Sequence, residues 1–216
     1  MTEQLLTEKY RPKTFDQIVG NRDIIDQLRN FAMRPKGEVP NILMTGPVGC
    51  GKTTAARCYI RERDLWKQQN SDPHRYEVGS FEGYNASNDR GIEFVRKITR
   101  YTKIVSESIT YLNEADSMTN EAQAGMRGPL ENKGNAIFIL DGNDEKCFTD
   151  AIKSRCVHFR FKLLANTDIY NRLTYIIKSE GIKINQQIEK AIKELAEQSN
   201  GDMRKALNAL DAFIHD

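Results

Sequence analysis

One stretch of the chain has the residue types and spacing of a phosphate-binding loop: Gly46-Pro47-Val48-Gly49-Cys50-Gly51-Lys52-Thr53. Its three glycines allow backbone N–H groups to point inward around a polyphosphate, where side chains would be in the way. The Lys52 ammonium can reach terminal phosphates, and the Thr53 hydroxyl can ligate Mg²⁺. We therefore predict a site for ATP with Mg²⁺. The alternative is a glycine-rich turn that binds nothing.

A second stretch, Ser108 to Asp116, is apolar and then ends in polar and acidic residues. In phosphate-loop ATPases one carboxylate at such a place holds Mg²⁺ through water, and a neighbouring Glu polarises the attacking water. Glu114 fits the second role. Asn113 stands where the first role requires a carboxylate, and its neutral amide holds hydrated Mg²⁺ less strongly. We predict that Asn113 is a weakened Mg²⁺ ligand.

The elements that must position these residues alternate between strand and helix. The loop follows a strand-like run at 41–45 and opens a helix at 53–63, after which the polar stretch 64–75 predicts a surface loop. Further strands are predicted near 76–84, 108–113, 135–140 and 157–161. This α/β order predicts a parallel five-stranded sheet with helices on both faces.

Two breaks in this pattern define the predicted organisation. A helix beginning near residue 119 meets Gly125, Gly128 and Pro129, so we expect a kink near Arg127. After residue 163 strands cease, and amphipathic helices are predicted near 167–180, 185–199 and 202–214. We therefore predict a nucleotide-binding domain at 1–163 and a small all-helical lid domain at 164–216.

Composition bounds the class of protein. The chain has 216 residues, of which 29% are charged and 39% hydrophobic, and its net charge is +2. A global basic field is excluded, so nucleic-acid contact requires a local cluster. The four cysteines lack zinc-site spacing and no apolar run reaches the roughly 20 residues of a membrane span. We predict reduced thiols in a cytosolic protein without a membrane partner.

Several motifs together are those of one family. The chain resembles the small subunits of replication factor C, which are sliding-clamp loaders of archaea and eukaryotes within the AAA+ ATPases. The motifs that carry the resemblance are Glu8-Lys9-Tyr10-Arg11-Pro12, the phosphate loop, Asn85-Ala86-Ser87, Asp89-Arg90-Gly91-Ile92, Glu114-Ala115-Asp116, Ser154-Arg155-Cys156 and Gly201-Asp202-Met203-Arg204-Lys205-Ala206. The resemblance implies an AAA+ fold, DNA-dependent ATPase activity, and a location in the cytoplasm, or in the nucleus of a eukaryote.

The resemblance also implies which residues contact the nucleotide. Tyr10, Arg11 and Ile18 would line the adenine and ribose side, and Arg204 on the lid would touch the phosphates. The complete implied set is Tyr10, Arg11, Ile18, Gly46, Pro47, Val48, Gly49, Cys50, Gly51, Lys52, Thr53, Thr54 and Arg204.

Catalytic roles follow in the same way for Glu114, Asn143 and Arg155. Asn143 would position the hydrolytic water, and Arg155 would act as an arginine finger on ATP held by a neighbouring subunit. A planar guanidinium suits the spread charge of a transferring phosphoryl group. Spacing alone would favour a surface arginine in an ion pair for Arg155, whereas the resemblance favours the finger.

Arg90, Arg96 and Arg127 match positions that face the DNA backbone inside a spiral of subunits. Contacts to phosphate need no base reading, which suits a loader that accepts any primer junction. The alternative is a solvated helix face, the usual meaning of such a charge cluster. The implied partners are other loader subunits in a homo- or hetero-oligomer, the sliding clamp and primed double-stranded DNA.

The chain departs from the family's pattern in two ways. Asn113 replaces the usual Asp, so ATP hydrolysis is either weakened or blocked to retain ATP. We also expect the family's third, helical collar domain to be absent from these 216 residues. Three functions stay open: a clamp-loader ATPase, a non-hydrolysing subunit that binds nucleotide and lends Arg155 to a neighbour, or another AAA+ remodeller such as a helicase loader.

Overall fold

A computed structural model describes residues 5–35, 37–70, 80–88, 90–104, 108–134 and 136–215. Its centre is a five-stranded parallel sheet, which confirms the predicted α/β class. The strands are β1 (Ile42–Thr45), β2 (Ser80–Asn85), β3 (Ser108–Asn113), β4 (Ile137–Gly142) and β5 (Val157–Arg160). Their spatial order is β2-β3-β4-β1-β5. Strand β1, which leads into the phosphate loop, therefore lies between β4 and β5.

Ten helices accompany the sheet in the described part of the chain. Those before and around the sheet are α1 (Leu6–Lys9), α2 (Arg22–Ala32), α3 (Lys52–Asn70), α4 (Ile92–Ile104), α5 (Asn120–Gly125), α6 (Arg127–Glu131) and α7 (Asp150–Lys153). Those after the sheet are α8 (Asn166–Ser179), α9 (Gln186–Gln198) and α10 (Met203–His215). The three helices of the C-terminal part confirm the helical pattern read from the sequence.

Apolar clusters cover both faces of the sheet. Phe15, Ile25 and Tyr59 belong to the cluster that α2 and α3 form against one face. Phe94, Met126 and Ile152 belong to the cluster that α4 to α7 form against the other. The buried strands β1 and β4 are accordingly apolar along most of their length, as expected for parallel strands covered on both sides.

Helix α3 is longer than the sequence analysis predicts. It continues to Asn70, so the predicted surface loop at 64–75 is wrong for residues 64–70, and residues 71–75 lie outside the described part. Arg63 and Lys67 are buried, so this last part of α3 is stabilised by contacts with the rest of the fold. The Arg63 guanidinium donates a 3.0 Å hydrogen bond to the carbonyl oxygen of Ala32 and lies over the ring of Trp66.

The predicted kink near Arg127 is confirmed by the separation of α5 from α6. Helix α5 ends at Gly125, and α6 begins at Arg127 after Met126. Pro129 then falls in the first turn of α6, where its missing N–H leaves no intrahelical acceptor unsatisfied. Gly125 allows close packing at the end of α5: a Cβ there would lie 2.4 Å from Cδ1 of Ile92 on α4 and would displace the end of that side chain.

A third apolar cluster holds the C-terminal helices together, with Ile169, Leu173 and Leu210 at its centre. Leu6 of α1 packs into the same cluster, with Tyr10 against it, so the N-terminal arm (residues 5–12) is attached to these helices. The division of the chain between residues 163 and 164 stays a prediction. Among the described residues, no helix combines the length and apolar character needed to cross a membrane.

Candidate nucleotide site

A cavity of about 410 Å³ lies at the carboxyl end of the sheet, between the phosphate loop, the N-terminal arm and α10. The loop's glycines have the positive φ values expected of such a turn, 147° for Gly46, 73° for Gly49 and 102° for Gly51. A Cβ on Gly46 would lie 2.4 Å from the carbonyl oxygen of Phe161, and one on Gly49 would lie 1.7 Å from Oδ1 of Asp202. Glycine is therefore required at Gly46 by the nearby backbone, and at Gly49 by its positive φ together with the Asp202 side chain.

Lys52 is the buried cation of the cavity. Lys52 is only 8% exposed. Its Nζ donates hydrogen bonds to the carbonyl oxygens of Gly46 and Pro47 at 2.7 and 2.9 Å. A third hydrogen bond of 3.1 Å reaches Oδ1 of Asn143 at the end of β4. All three acceptors are neutral, so no carboxylate is bonded to the ammonium, and its charge is available to an anion. The donors and charge of this loop fit a polyphosphate.

The acidic side of the cavity contains a residue that the sequence analysis did not assign, Asp141. Its Oδ1 accepts a 2.8 Å hydrogen bond from the backbone N–H of Glu114, and its Oδ2 accepts a 2.5 Å bond from the Tyr111 hydroxyl. The Thr53 hydroxyl lies 3.5 Å from the same Oδ2. Burial raises the pKa of Asp141, while the hydrogen bonds from Tyr111 and Glu114 oppose that rise.

Asn113 and Glu114 stand at the end of β3 beside this carboxylate. The Asn113 side-chain oxygen accepts a 3.1 Å hydrogen bond from the Tyr111 hydroxyl. Glu114 has a φ of 55°, and its exposed side chain lines the cavity. The backbone N–H of Asn143 is held by Asp116 Oδ2 at 2.7 Å. The ends of β3 and β4 thus bring four polar side chains to one edge of the cavity: Asn113, Glu114, Asp141 and Asn143.

The N-terminal arm closes the opposite side. Lys9 Nζ donates to Glu180 at 2.8 Å, and the Tyr10 hydroxyl donates to the same carboxylate. Burial, followed by the hydrogen bond to Glu180, raises the pKa of Tyr10 to about 12. Arg172 Nη2 donates a 2.6 Å hydrogen bond to the carbonyl oxygen of Tyr10. These contacts fix the arm against α8, with Arg11 paired to Glu8.

The structure brings most of the expected nucleotide-binding residues to this cavity. Those that line it are Tyr10, Arg11, Ile18, Val48, Gly49, Cys50, Gly51, Lys52, Thr53, Thr54 and Arg204, together with Asn113, Glu114 and Asn143. Gly46 and Pro47 do not line the cavity; their carbonyl oxygens accept hydrogen bonds from Lys52 Nζ. Hydrogen bonds link Asn113 to Thr53 through the Tyr111 hydroxyl and the Asp141 carboxylate.

Three charged residues that the sequence analysis did not single out also line the cavity: Arg57, Asp141 and Arg172. Arg57 lies four residues after Thr53, a helical spacing that could have placed it on the same face. Asp141 ends an apolar strand, a position where parallel sheets commonly carry site residues. Arg172 gives no comparable local signal, because only the docking of α8 brings it near the arm.

Arg155 lies away from the cavity, in the turn between α7 and β5. Its Nε donates to Glu131 Oε1 at 2.9 Å, with Nη2 bonded to the same oxygen, and its Nη1 donates to the Ala151 carbonyl oxygen at 2.9 Å. The side chain is 17% exposed. Both interpretations from the sequence stay compatible with this position: the guanidinium forms an ion pair, and it does not contact its own protomer's cavity.

The three arginines expected to contact DNA are also outside the cavity. Arg96 pairs with Glu93 within α4, and Arg127 Nε lies 3.7 Å from Glu131 Oε1. Arg90 Nε donates to the Ser87 carbonyl oxygen at 2.8 Å. All three residues are exposed, and their contact with DNA stays a prediction.

Two family models match the chain. Residues 42–163 match the ATPase family associated with various cellular activities (AAA), and residues 171–214 match the RCF1/5-like AAA+ ATPase lid domain. Among solved structures, the RuvB Holliday junction branch migration motor of Thermotoga maritima aligns with a TM-score of 0.73. That alignment covers 92% of this chain and 63% of the RuvB chain at 16% identity, which shows a shared fold.

Curated relatives align along nearly the whole chain. The replication factor C small subunit of Staphylothermus marinus is 37% identical over 219 residues, covering 98% of this chain and 62% of the relative. That of Saccharolobus solfataricus is 38% identical over 217 residues, covering 97% and 62%. The chain therefore spans about 62% of the length of these relatives.

Proposed function

The chain belongs to the AAA family of ATPases, and from this premise we propose that it is an ATP-binding subunit of a sliding-clamp loader. The single observation that carries the proposal is the cavity around Lys52. There a buried ammonium with only neutral hydrogen-bond acceptors faces a space bounded by the glycine loop, the N-terminal arm and α10. Similarity to replication factor C small subunits supports the clamp-loader role.

In this role the polyphosphate of ATP lies along the loop, where backbone N–H groups and Lys52 bind it. Tyr10, Arg11 and Ile18 line the side that receives adenine and ribose, and Arg204 approaches the phosphates from α10. Bound Mg²⁺ would neutralise phosphate charge, with Thr53 and the polar side chains at the ends of β3 and β4 as the residues that would hold it.

Hydrolysis requires an oriented water and a means of stabilising the transferring phosphoryl charge. Glu114 is exposed to the cavity and is suited to polarise the water, while Asn143, fixed by Asp116, is suited to orient it. Arg155 does not line its own protomer's cavity, and in this role it would exchange its bond to Glu131 for the phosphates in a neighbouring subunit's site. ATP binding would then stabilise the contact between two subunits.

The remaining partners follow from the same role. Arg90, Arg96 and Arg127 are exposed cations that could contact DNA phosphates without reading sequence. The sliding clamp, primed double-stranded DNA and other loader subunits are the proposed partners, in the cytoplasm or the nucleus. We propose that primed DNA and the clamp increase the rate of ATP hydrolysis.

A second function is favoured by one specific observation, the amide at Asn113. A subunit with a weakened Mg²⁺ site could bind ATP, retain it and contribute Arg155 to a neighbour without hydrolysing its own nucleotide. Intact Lys52, Glu114 and Asn143 favour the hydrolysing subunit instead.

The test measures ATP affinity by calorimetry, and ATP turnover with and without primed DNA and clamp. Lys52→Ala removes the buried ammonium, and we expect ATP affinity to fall by about 100-fold, since hydrogen bonds to charged groups contribute roughly 1.5–3 kcal/mol. The matched control is Lys190→Ala on the exposed face of α9, which should leave ATP affinity unchanged. Equal ATP affinity of the Lys52 variant and the unaltered chain would contradict the proposal.

Turnover then separates the two candidate functions. A clamp-loader ATPase hydrolyses ATP faster with primed DNA and clamp, and the stimulation disappears in Glu114→Gln. A non-hydrolysing subunit binds ATP with the same dependence on Lys52 but shows no turnover under either condition.

A further inference from the structure

We propose that Asp141, rather than Asn113, supplies the carboxylate that holds Mg²⁺ beside the phosphates of bound ATP. This inference rests on the ATP-binding function proposed above. It assigns a role in the site to a residue at the end of β4, whereas the motif around Asn113 and Glu114 lies at the end of β3.

Sheet topology places Asp141 where such a carboxylate is needed. Leu112 pairs with Leu140, so Asn113 and Asp141 occupy the same level on adjacent strands. On its other side, Asp141 pairs with Met44 of β1, the strand that leads into the phosphate loop. Asp141 is therefore one strand closer to the loop than Asn113.

The distance to Thr53 supports the assignment. Oδ2 of Asp141 lies 3.5 Å from the Thr53 hydroxyl, the group expected to ligate Mg²⁺. Mg²⁺ binds oxygen at about 2.0–2.1 Å in octahedral geometry, so two adjacent ligand oxygens lie about 2.9 Å apart. The observed 3.5 Å separation is within reach of one shared ion: an approach of about 0.6 Å would make Asp141 a direct ligand, and a small outward movement would admit a bridging water.

Burial supplies an independent argument. Asp141 is 2% exposed, and within the described ranges no lysine or arginine forms an ion pair with it. Its hydrogen-bond donors are the Tyr111 hydroxyl, the Glu114 N–H and the more distant Thr53 hydroxyl, all of them neutral. Burying a carboxylate is costly unless a cation compensates its charge. The charge of Lys52 reaches Asp141 without an ion pair, so it compensates the carboxylate only in part, and Mg²⁺ at Thr53 would add a cation in contact with it.

The network also explains how Asn113 is accommodated. The Tyr111 hydroxyl lies 2.5 Å from Asp141 Oδ2 and 3.1 Å from the Asn113 side-chain oxygen, so it connects the two. A second carboxylate at residue 113 would face Asp141 across adjacent strands and repel it. Asn113 is thus the neutral neighbour of a carboxylate on the next strand, and the site keeps one Mg²⁺-directed carboxylate in addition to Glu114.

The experiment measures Mn²⁺ affinity of the ATP-bound chain by electron paramagnetic resonance, with Mn²⁺ as the probe for Mg²⁺. Asp141→Asn keeps the shape of the side chain and removes its charge, and we expect Mn²⁺ affinity to fall by about 10–100-fold. ATP affinity in EDTA should not fall, because no metal contributes to it and the removed carboxylate charge only repels the phosphates. The matched control is Asp26→Asn, the same substitution on the exposed face of α2.

The exchange variant Asn113→Asp/Asp141→Asn moves the carboxylate back to β3. We expect it to recover Mn²⁺ affinity to within about threefold of the unaltered chain, which a purely structural role of Asp141 would not produce. Mn²⁺ affinity of Asp141→Asn equal to that of the Asp26 control would overturn the proposal, and so would an exchange variant that binds Mn²⁺ as weakly as Asp141→Asn.

Folding is checked by circular dichroism with ATP present. If Asp141→Asn does not fold, the exchange variant decides by its Mn²⁺ affinity; if both are unfolded, Asp141 is structural and the proposal fails. Failure of the proposed function gives a different result, which is absence of ATP binding in EDTA by the unaltered chain. ATP binding that is retained, with metal affinity independent of Asp141, rejects only the role of Asp141.

Discussion

At the scale of single residues, exposure separates the four cysteines. Cys147 is exposed, whereas Cys50 and Cys58 are buried. Burial raises the pKa of the Cys58 thiol to about 11 and that of Cys156 to about 12, and it also raises the pKa of Cys50. Because the thiolate is the reactive species, these three thiols should react slowly. All four are free in the structure, and their reduced state in the cell stays a prediction.

We therefore predict that iodoacetamide near pH 8 modifies Cys147 at least about tenfold faster than the other three cysteines. A time course of peptide masses after quenching measures the four rates separately. Unfolding in urea is the control and should make the rates similar, since it removes the burial. Rapid alkylation of Cys156 in the folded chain would contradict the prediction.

Local spacing was enough to predict Lys52, Thr53 and Glu114, because each belongs to a short motif whose geometry is set by its own sequence. Asp141 could not be assigned in this way. It contacts Thr53 across 88 positions of sequence, and the contact exists only because β4 lies between β1 and β3. Strand order is a property of the whole sheet, so the sequence around residue 141 alone cannot predict the contact between Asp141 and Thr53.

At the scale of elements, one glycine determines how α10 meets the end of the sheet domain. Gly201 has a φ of 83°, and a Cβ there would lie 2.7 Å from Cβ of Leu163 and 3.0 Å from the carbonyl oxygen of Leu164. Its own carbonyl oxygen accepts a 3.1 Å hydrogen bond from the backbone N–H of Leu164. The turn before α10 therefore requires glycine for both conformation and space.

We predict that Gly201→Ala lowers the free energy of unfolding by about 2–4 kcal/mol, of which roughly 1–2 kcal/mol is left-handed backbone strain. Gly181→Ala is the matched control: its φ of 76° is similar, yet a Cβ there meets nothing within 4 Å. The control should cost only the strain, and urea denaturation of both variants measures the difference. Equal losses of stability would show that the contact with Leu163 and Leu164 contributes nothing.

Element prediction was accurate where hydrophobic periodicity was strong and failed where packing decided the outcome. The periodicity of α8, α9 and α10 identified all three helices from sequence. Polar composition instead suggested a loop after residue 63, although Lys67 is buried and Arg63 donates to the end of α2. A helix stabilised by long polar side chains against a neighbouring element has no apolar repeat that sequence analysis can detect.

At the scale of the whole molecule, the proposed function needs two protomers. The Arg155 guanidinium is held by Glu131 and the Ala151 carbonyl, outside its own protomer's cavity. A variant without its own ATP site should therefore still supply this guanidinium to a neighbour. Arginine fingers acting in this way contribute factors of about 10³–10⁵ in rate.

We predict that Lys52→Ala and Arg155→Ala are each inactive alone, and that their mixture hydrolyses ATP at least about tenfold faster than either. The first variant supplies Arg155 and the second supplies an intact cavity, and ATP turnover at high protein concentration measures the recovery. The control mixes Arg155→Ala with the double variant Lys52→Ala/Arg155→Ala, which offers no guanidinium. Normal turnover by Arg155→Ala alone would contradict donation between subunits.

One backbone hydrogen bond described by the structure joins the phosphate loop to α10, from the N–H of Met203 to the carbonyl oxygen of Gly49, at 3.2 Å. A rotation of the Gly49 peptide is therefore transmitted to the first residue of α10, a helix about 20 Å long. Tilting the helix by about 10° would sweep its far end through roughly 3 Å, so the helix acts as a lever arm. A subangstrom adjustment around the phosphates can thus become a displacement large enough for an adjoining protein to detect.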